Sequence, residues 1–179
     1  MALTATMRRF EIALADSDRG VYETLELRVA QHPSETDRYL VTRVIARCLE
    51  HGEGVDFTKG LAVDDEPAIW QRDLRNDLQA WIEVGSPSVD RLHKAQKACK
   101  HVAVYGWQRM KELARDVAER EVHRREELSI FAIDPGFLDR VAATLDRVNR
   151  WELSLSGGSL YLNVGGKVHE ATVDRVPIP

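Results

Sequence analysis

The sequence predicts a mixed α/β fold with β-rich ends. Apolar residues alternate with polar ones near both termini, which is the period of half-buried strands. Between those ends, helical and extended patterns follow one another in the order helix, three strands, helix, strand (αβββαβ). With 179 residues, 44% hydrophobic and 30% charged, the chain is long enough to bury a proper core. We therefore expect a single domain over residues 1–179.

A β-hairpin is predicted first. Its two runs are separated by the turn-forming stretch 16–20, and their apolar positions are Phe10, Ile12, Leu14, Val21, Leu25, Leu27 and Val29. A helix should follow, with Ser34 as N-cap and Asp37 three residues later as a variant of the capping box. Its apolar stripe runs from Leu40 to Leu49, and the stretch 51–54, with two glycines, ends it.

Three short extended segments are predicted next, near residues 55–58, 68–72 and 79–84. Ser88 then caps a short helix whose inner positions are Leu92, Ala95 and Cys99, and residues 101–105 form a compact, β-branched strand. A long charged helix is predicted over 108–127, with Val122 on its inner stripe. A buried strand over 128–133 follows it.

The C-terminal part is predicted to be a helix followed by a β-meander. Asp134-Pro135 opens the helix, with proline at its favoured first position, and its apolar stripe extends to Val148. The meander spans 151–173 and turns at Gly157-Gly158 and Gly165-Gly166. We expect this meander and the N-terminal hairpin to pack against each other.

Bulk composition excludes several classes of protein. A net charge of −4 excludes a surface that is basic all over, so any nucleic-acid contact needs a local basic patch. The two cysteines form no CxxC pair, which is typical of a reduced protein. The N-terminus lacks the apolar region of a signal peptide, and no run reaches the ~18 apolar residues of a membrane span. We expect a cytoplasmic protein.

Charge separates sharply in the middle of the chain. Residues 61–87 carry six acids and two arginines, whereas residues 88–111 carry four lysines and two arginines against one acid, Asp90. Arg91, Lys94 and Lys97 form a basic lip on the predicted helix. An acidic pocket beside phosphate-positioning groups is the arrangement that metal-assisted phosphodiester chemistry needs.

Two acidic positions in this region have competing interpretations. Glu83 lies on a predicted strand beside Trp81 and Ile82, so it needs a cation or a donor if it is buried. It could instead face solvent, or pair with Lys94 or Arg91. The run Asp64-Asp65-Glu66 before Pro67 could hold a cation or be a solvated turn.

These residues resemble the YaeQ family of bacterial proteins. The likeness rests on Gly60-Leu61, Asp64-Asp65-Glu66-Pro67 with Trp70, Trp81-Ile82-Glu83-Val84-Gly85 with Pro87, and Lys94-Ala95. The hairpin and the His32-Pro33-Ser34-Glu35-Thr36 segment match as well, so the resemblance covers essentially the whole chain. It implies the restriction-endonuclease-like fold of PD-(D/E)xK nucleases, which agrees with the αβββαβ order.

The resemblance also implies roles for particular residues. Members of that superfamily bind Mg²⁺ through an acid after a proline and an acid in a later strand, and a lysine assists the attacking water. Carried over, Asp65 or Glu66 and Glu83 would bind the ion, with the Val84 carbonyl as a further ligand. This chain departs from the superfamily pattern at two positions. Ala68 stands after Pro67 where the pattern has an acid, and Gly85 stands after Val84 where the pattern has a lysine. Lys94 would then supply the catalytic amine and Glu35 would be an auxiliary acid, unless Glu35 only stabilises the helix N-terminus.

Two function classes follow from these features. The first is a nuclease-like protein that hydrolyses phosphodiesters with Mg²⁺, with nucleic acid bound at the basic lip. The second is a catalytically degenerate nuclease-fold protein that acts as a cytosolic binding or regulatory factor, with a protein partner as an alternative to nucleic acid. The departures at Ala68 and Gly85 favour the second class, and the clustered charges favour the first. Fold alone does not decide between them.

Overall fold

The computed structural model describes residues 4–59 and 63–179 of the chain. Over these residues it contains ten strands and four α-helices, a mixed α/β fold. In the same part of the chain, no helix combines the length and the apolar character needed to cross a membrane. The chain forms two compact units, one made of the described residues up to Val41 with Ile133–Val173, the other of Thr42–Ala132 with Asp174–Pro179.

The first unit contains the N-terminal hairpin and the C-terminal meander. Strands β1 (Thr6–Asp16) and β2 (Val21–Gln31) pair in antiparallel register, with Phe10 opposite Leu27. Strand β8 (Val148–Ser156) pairs parallel to β1 and antiparallel to β9 (Ser159–Val164), which pairs with β10 (Lys167–Arg175). The expected hairpin, meander and mutual packing are therefore confirmed. Phe10 and Trp151 meet edge to face in its core, with ring centroids 4.9 Å apart.

The second unit is built on five strands in the order β7-β6-β5-β4-β3. Their bounds are Val55–Phe57 for β3, Ile69–Arg72 for β4, Leu78–Val84 for β5, His101–Gly106 for β6 and Leu128–Ile133 for β7. Strands β5, β6 and β7 run parallel, whereas β3, β4 and β5 pair antiparallel. With α1 (Asp37–Leu49) and α2 (Val89–Ala98), this gives the predicted αβββαβ order.

Buried side chains of two helices cover the parallel strands of the second unit. Helix α3 (Met110–Glu119) contributes Leu113 and Val117, and α2 contributes Leu92. They belong to one apolar cluster with Val104 of β6 and Ile130 of β7. The near-continuous apolar character of β6 follows from burial on both faces, as is usual for parallel strands.

The two caps predicted for the first helices have different outcomes. The Ser88 prediction is confirmed, since its hydroxyl accepts a hydrogen bond from Arg91 N at 3.2 Å. The Ser34 prediction is wrong, because Thr36 Oγ1 accepts from Tyr39 N at 3.1 Å and α1 begins at Asp37. The Ser34 hydroxyl instead lies 2.7 Å from His32 Nδ1.

The long charged helix predicted over 108–127 is wrong in length. Helix α3 ends at Glu119, and Glu121 adopts the left-handed conformation (φ 49°). Glu121 N donates to Ala118 O and Val122 N to Val117 O, both at 3.4 Å, which is the Schellman pattern of helix ends. This turn buries Val122 without a continuing helix. A short 3₁₀ helix over Arg125–Glu127 leads into β7.

The fourth helix is also shorter than the sequence predicts. Helix α4 covers Pro135–Ala142, with Asp134 accepting a hydrogen bond from Phe137 N at 2.8 Å as its cap. The prediction that it extends to Val148 is wrong, because Val148 is an exposed residue that begins β8. Its opening at Asp134-Pro135 is confirmed.

Candidate functional site

Strand β5 presents Trp81 and Glu83 on the same side of the sheet, since side chains two apart on a strand share a face. The strand ends directly afterwards at Gly85, whose backbone is left-handed (φ 91°) and whose N–H donates to Tyr105 O at 2.8 Å. Ser86 to Ser88 then lead into α2. This short connection places the first turn of α2 next to Glu83.

Glu83 is buried, accepts hydrogen bonds from two donors, and has its charge neutralised by one of them, Arg91. Trp81 Nε1 lies 2.6 Å and Arg91 Nε 2.5 Å from Glu83 Oε1, and the side chains of Glu83 and Arg91 are 7% and 29% exposed. The Arg91 guanidinium also lies over the Trp81 ring, 5.7 Å from its centroid. Among the described residues, no donor is hydrogen-bonded to Glu83 Oε2. One carboxylate oxygen is therefore saturated and the other is not.

Arg91 connects this carboxylate to the acidic loop. Its Nη1 donates to the backbone carbonyl of Asp64 and its Nη2 to that of Glu66. The Ser88 cap fixes the backbone of Arg91 at the start of α2. Three of its N–H groups are thus hydrogen-bonded within the protein, so Arg91 connects β5, the acidic loop and α2 in a fixed geometry.

Lys94, one helical turn beyond Arg91, forms a second and weaker link to the loop. Its Nζ lies 3.3 Å from Asp65 Oδ1, but the two side chains are 73% and 88% exposed. Exposed pairs of this kind contribute at most about 1 kcal/mol. Lys97 is exposed on the same helix. Lys94 and Lys97 can therefore turn toward a ligand at little cost.

The pKa of the Glu83 carboxyl is raised above its usual value. Burial is the largest cause, and it is opposed by the hydrogen bond from Trp81 and by the charge and hydrogen bond of Arg91. The balance shows that desolvation outweighs the two donors. Without Arg91, the carboxylate would be a buried charge with a single neutral donor.

Three of the four predicted Mg²⁺ ligands already have a partner. Glu83 binds Arg91, Asp65 binds Lys94, and the Glu66 carboxylate accepts from Lys59 N at 3.1 Å. Val84 is buried at the end of β5. Nowhere in residues 4–59 and 63–179 do three His, Cys, Asp or Glu side chains form a group that could hold a metal ion. In this arrangement the residues do not fit Mg²⁺, and the metal-ligand assignment stays a prediction.

Glu35 belongs to the first unit, whereas Glu83 and Lys94 belong to the second. It precedes α1, is 8% exposed, and its N–H donates to His32 O at 2.8 Å. Its carbonyl accepts from Gln31 Nε2 at 3.1 Å. These backbone contacts hold the entry to α1, and the auxiliary catalytic role of Glu35 stays a prediction.

The two departures from the nuclease pattern have structural reasons. Gly85 has a positive φ that side-chain-bearing residues rarely adopt, so a lysine there would be strained. Ala68 is 2% exposed and its N–H donates to Ile82 O at 3.1 Å, so an acid at that position would be buried in the core. Gly60 and Leu61, also part of the resemblance, lie outside the described residues.

Trp81 is the contact that the sequence analysis missed. From the sequence, Trp81 indicates only through its apolar character that Glu83 is buried. Its spacing of two from Glu83 on a strand was the available signal, because that spacing places an indole N–H within reach of the carboxylate.

Comparisons with known proteins agree with the resemblance. The sequence profile of the YaeQ protein family matches residues 1–173. The Uncharacterized protein YaeQ of Escherichia coli (strain K12) is 30% identical over 164 residues, 91% of each chain. Crystal structures of YaeQ from Pseudomonas syringae (28% identity, TM-score 0.89, 97% and 96% of the two chains) and from Xanthomonas axonopodis pv. citri (31%, 0.87, 97% and 100%) superpose closely. The chain belongs to the YaeQ family.

Proposed function

We propose that this protein is a catalytically degenerate, nuclease-like protein that binds nucleic acid through its phosphate backbone. The observation that carries the proposal is the contact between Arg91 and Glu83. In a metal-dependent nuclease, a divalent cation would neutralise the strand carboxylate. Here a guanidinium supplies the positive charge, and it is fixed in place by two loop carbonyls.

The basic lip supports a phosphate-binding role for the same region. Lys94 and Lys97 lie three residues apart on α2 and both are exposed, so they lie on neighbouring surface of the helix. Arg91 is committed to the protein, so the lysines are the groups available to phosphate oxygens. Their flexible, strongly hydrated amines suit sequence-independent backbone contacts.

Binding without a metal is the first test. Fluorescence anisotropy with labelled single- and double-stranded DNA and RNA, in EDTA, should give affinities that fall with salt between about 50 and about 200 mM. Lys94→Ala/Lys97→Ala should reduce the slope of log K against log salt by about 1.4 on single strands, since each phosphate contact contributes about 0.7. Arg75→Ala/Arg115→Ala, a matched removal of two exposed positive charges elsewhere, should leave the slope unchanged. No binding by the folded wild type would overturn the proposal.

Mg²⁺-dependent phosphodiester hydrolysis is the second candidate. Glu83 Oε2 supports it, because this oxygen has no hydrogen-bond donor among the described residues and could bind a cation once Arg91 moves. The same nucleic acids incubated with Mg²⁺ or Mn²⁺ and analysed on denaturing gels distinguish the two. Cleavage by the wild type that is lost in Glu83→Gln would establish this candidate and exclude the degenerate protein.

A further inference from the structure

A cleft lined by four arginines lies at one end of the sheet in the first unit. Its lining consists of Met7, Arg8, Arg9, Arg28, Arg147 and Val148. Its volume is about 530 Å³, which lies within the range of typical ligand sites. Among the residues that the structure describes, no acidic side chain contributes to the lining. Such a surface is unexpected on a chain whose net charge is −4.

The strand register forces three of these arginines together. Arg9 on β1 lies directly opposite Arg28 on β2, and Arg9 N donates to Arg147 O at 2.8 Å, so Arg147 adjoins Arg9 on the other side. Like charges directly opposite each other on neighbouring strands are destabilising. At the next position on the same face, Glu11 lies opposite Glu26, so arginines and acids form separate groups along the hairpin, and Glu11 is paired with Arg150 Nε at 3.0 Å.

The acids around the cleft compensate only part of its charge. Arg9 Nη2 lies 3.6 Å from Glu11 and 3.8 Å from Glu26, which are long contacts at an exposed site. In the described residues, no carboxylate is paired with the guanidinium of Arg28 or Arg147, and both residues are exposed. Two guanidinium groups are therefore available to a ligand.

The side chain of Arg8, at the base of the cleft, is held in place by hydrogen bonds. Its Nε donates to Gln31 Oε1 at 2.7 Å and its Nη1 to Asp146 O at 2.9 Å, with the side chain 18% exposed. Gln31 is in turn held by hydrogen bonds to Glu35 O and to Asp37. A preordered arginine loses less conformational freedom when a ligand binds.

We propose that this arginine cleft binds the phosphate backbone of a nucleic acid. Guanidinium groups match phosphate oxygens in a bidentate geometry. Arg28 on β2, Arg9 on β1 and Arg147 directly before β8 follow one another along this open cleft, an arrangement that suits an extended polyanion. The proposal rests on the nucleic-acid binding proposed above but assigns it to a different surface from the lysines of α2.

The test compares variants in the anisotropy assay with a labelled single strand. Arg28→Ala/Arg147→Ala should weaken binding on the order of 10-fold at low salt and reduce the salt slope by about 1.4, at about 0.7 per phosphate contact. Arg28→Lys/Arg147→Lys keeps the charge and should retain most of the slope. The Arg75→Ala/Arg115→Ala control should bind as the wild type does. Circular dichroism confirms that each variant is folded.

Each outcome decides between the two surfaces. If Arg28→Ala/Arg147→Ala binds like the control while Lys94→Ala/Lys97→Ala is impaired, the cleft proposal is overturned and the proposed function stands. If the wild type binds no nucleic acid, both are overturned. Competition with unlabelled inorganic pyrophosphate distinguishes a site for small phosphate-containing anions from a site for the backbone of a nucleic acid. Displacement at concentrations near those of the oligonucleotide would show a small-anion site and overturn the assignment to nucleic acid.

Discussion

Replacing Arg91 with methionine should destabilise the protein, and the loss should depend on pH. The substitution removes the charged partner of Glu83 and two donors to the carbonyls of Asp64 and Glu66. Breaking a buried ion pair by removing one partner costs about 3 to 5 kcal/mol. The loss of the two hydrogen bonds to carbonyls adds about 1 kcal/mol each, and this additional cost does not change with pH.

The remaining part depends on the protonation of Glu83. Its pKa is already raised in the folded protein by burial, and removing Arg91 raises it further, because that arginine lowers it. A group with a raised folded pKa stabilises the folded state below its unfolded pKa, and this contribution is lost as pH rises through the folded value. The cost of Arg91→Met should therefore be larger at pH about 8 than at pH about 5, where a neutral Glu83 is cheaper to bury.

Urea unfolding followed by tryptophan fluorescence measures this, with Glu83→Gln and the double variant completing a thermodynamic cycle. The coupling between positions 83 and 91 should be about 2 kcal/mol at pH about 8 and smaller at pH about 5. A coupling near zero at both pH values, or one that grows on acidification, would refute the argument that Arg91 neutralises a buried carboxylate.

Three further predictions concern other groups. His101 Nε2 lies 2.8 Å from Glu50 Oε2, and this hydrogen bond raises the pKa of the histidine. NMR titration should show a lower His101 pKa in Glu50→Gln than in the wild type. The stability that the pair contributes should be lost as pH rises through the raised pKa. Burial raises the pKa of the Cys99 thiol to about 11, so iodoacetamide should label it slowly at pH about 8 in the native protein and readily in urea. Gly54→Ala should lower the free energy of unfolding more than Gly20→Ala. Both glycines have a positive φ, but only at Gly54 would a Cβ lie 1.9 Å from the carbonyl oxygen of Arg72. Equal losses in the two variants would contradict this.

Local patterns predicted the fold better than they predicted helix lengths. The hairpin, the Ser88 cap and the order of helices and strands along the chain follow from hydrophobic periodicity and from short-range capping. The end of α3 does not, because Glu121 carries no sequence mark of a left-handed residue and the charged stretch beyond it continues a helical pattern. Val148 likewise fits the apolar stripe of α4, but it begins β8 instead, because β8 pairs in parallel with β1, a strand far away in the sequence.

Some contacts of the candidate site also follow from local sequence patterns, whereas others depend on long-range structure. The sequence offers two basic partners for Glu83, Lys94 and Arg91, and the position of Arg91 after the Ser88 cap places it within reach of the carboxylate. Its contacts with the carbonyls of Asp64 and Glu66 depend on the path of a loop, which no local pattern fixes. For the arginine cleft, the hairpin register alone places Arg9 opposite Arg28. Arg147 joins them only through the long-range pairing of β8.

The competition between Arg91 and a cation at Glu83 can be worked out from these energies. A Mg²⁺ ion that needs Arg91 to leave must overcome about 3 kcal/mol, which weakens its apparent affinity by about 150-fold. Arg91→Met removes the competitor, so Mg²⁺ should raise the melting temperature of this variant at concentrations where it leaves the wild type unchanged. Arg91→Met/Glu83→Gln, which lacks the carboxylate, serves as the control and should not respond. Equal stabilisation of the wild type and Arg91→Met by Mg²⁺ would show that Arg91 does not block the site, and it would favour hydrolysis over binding alone.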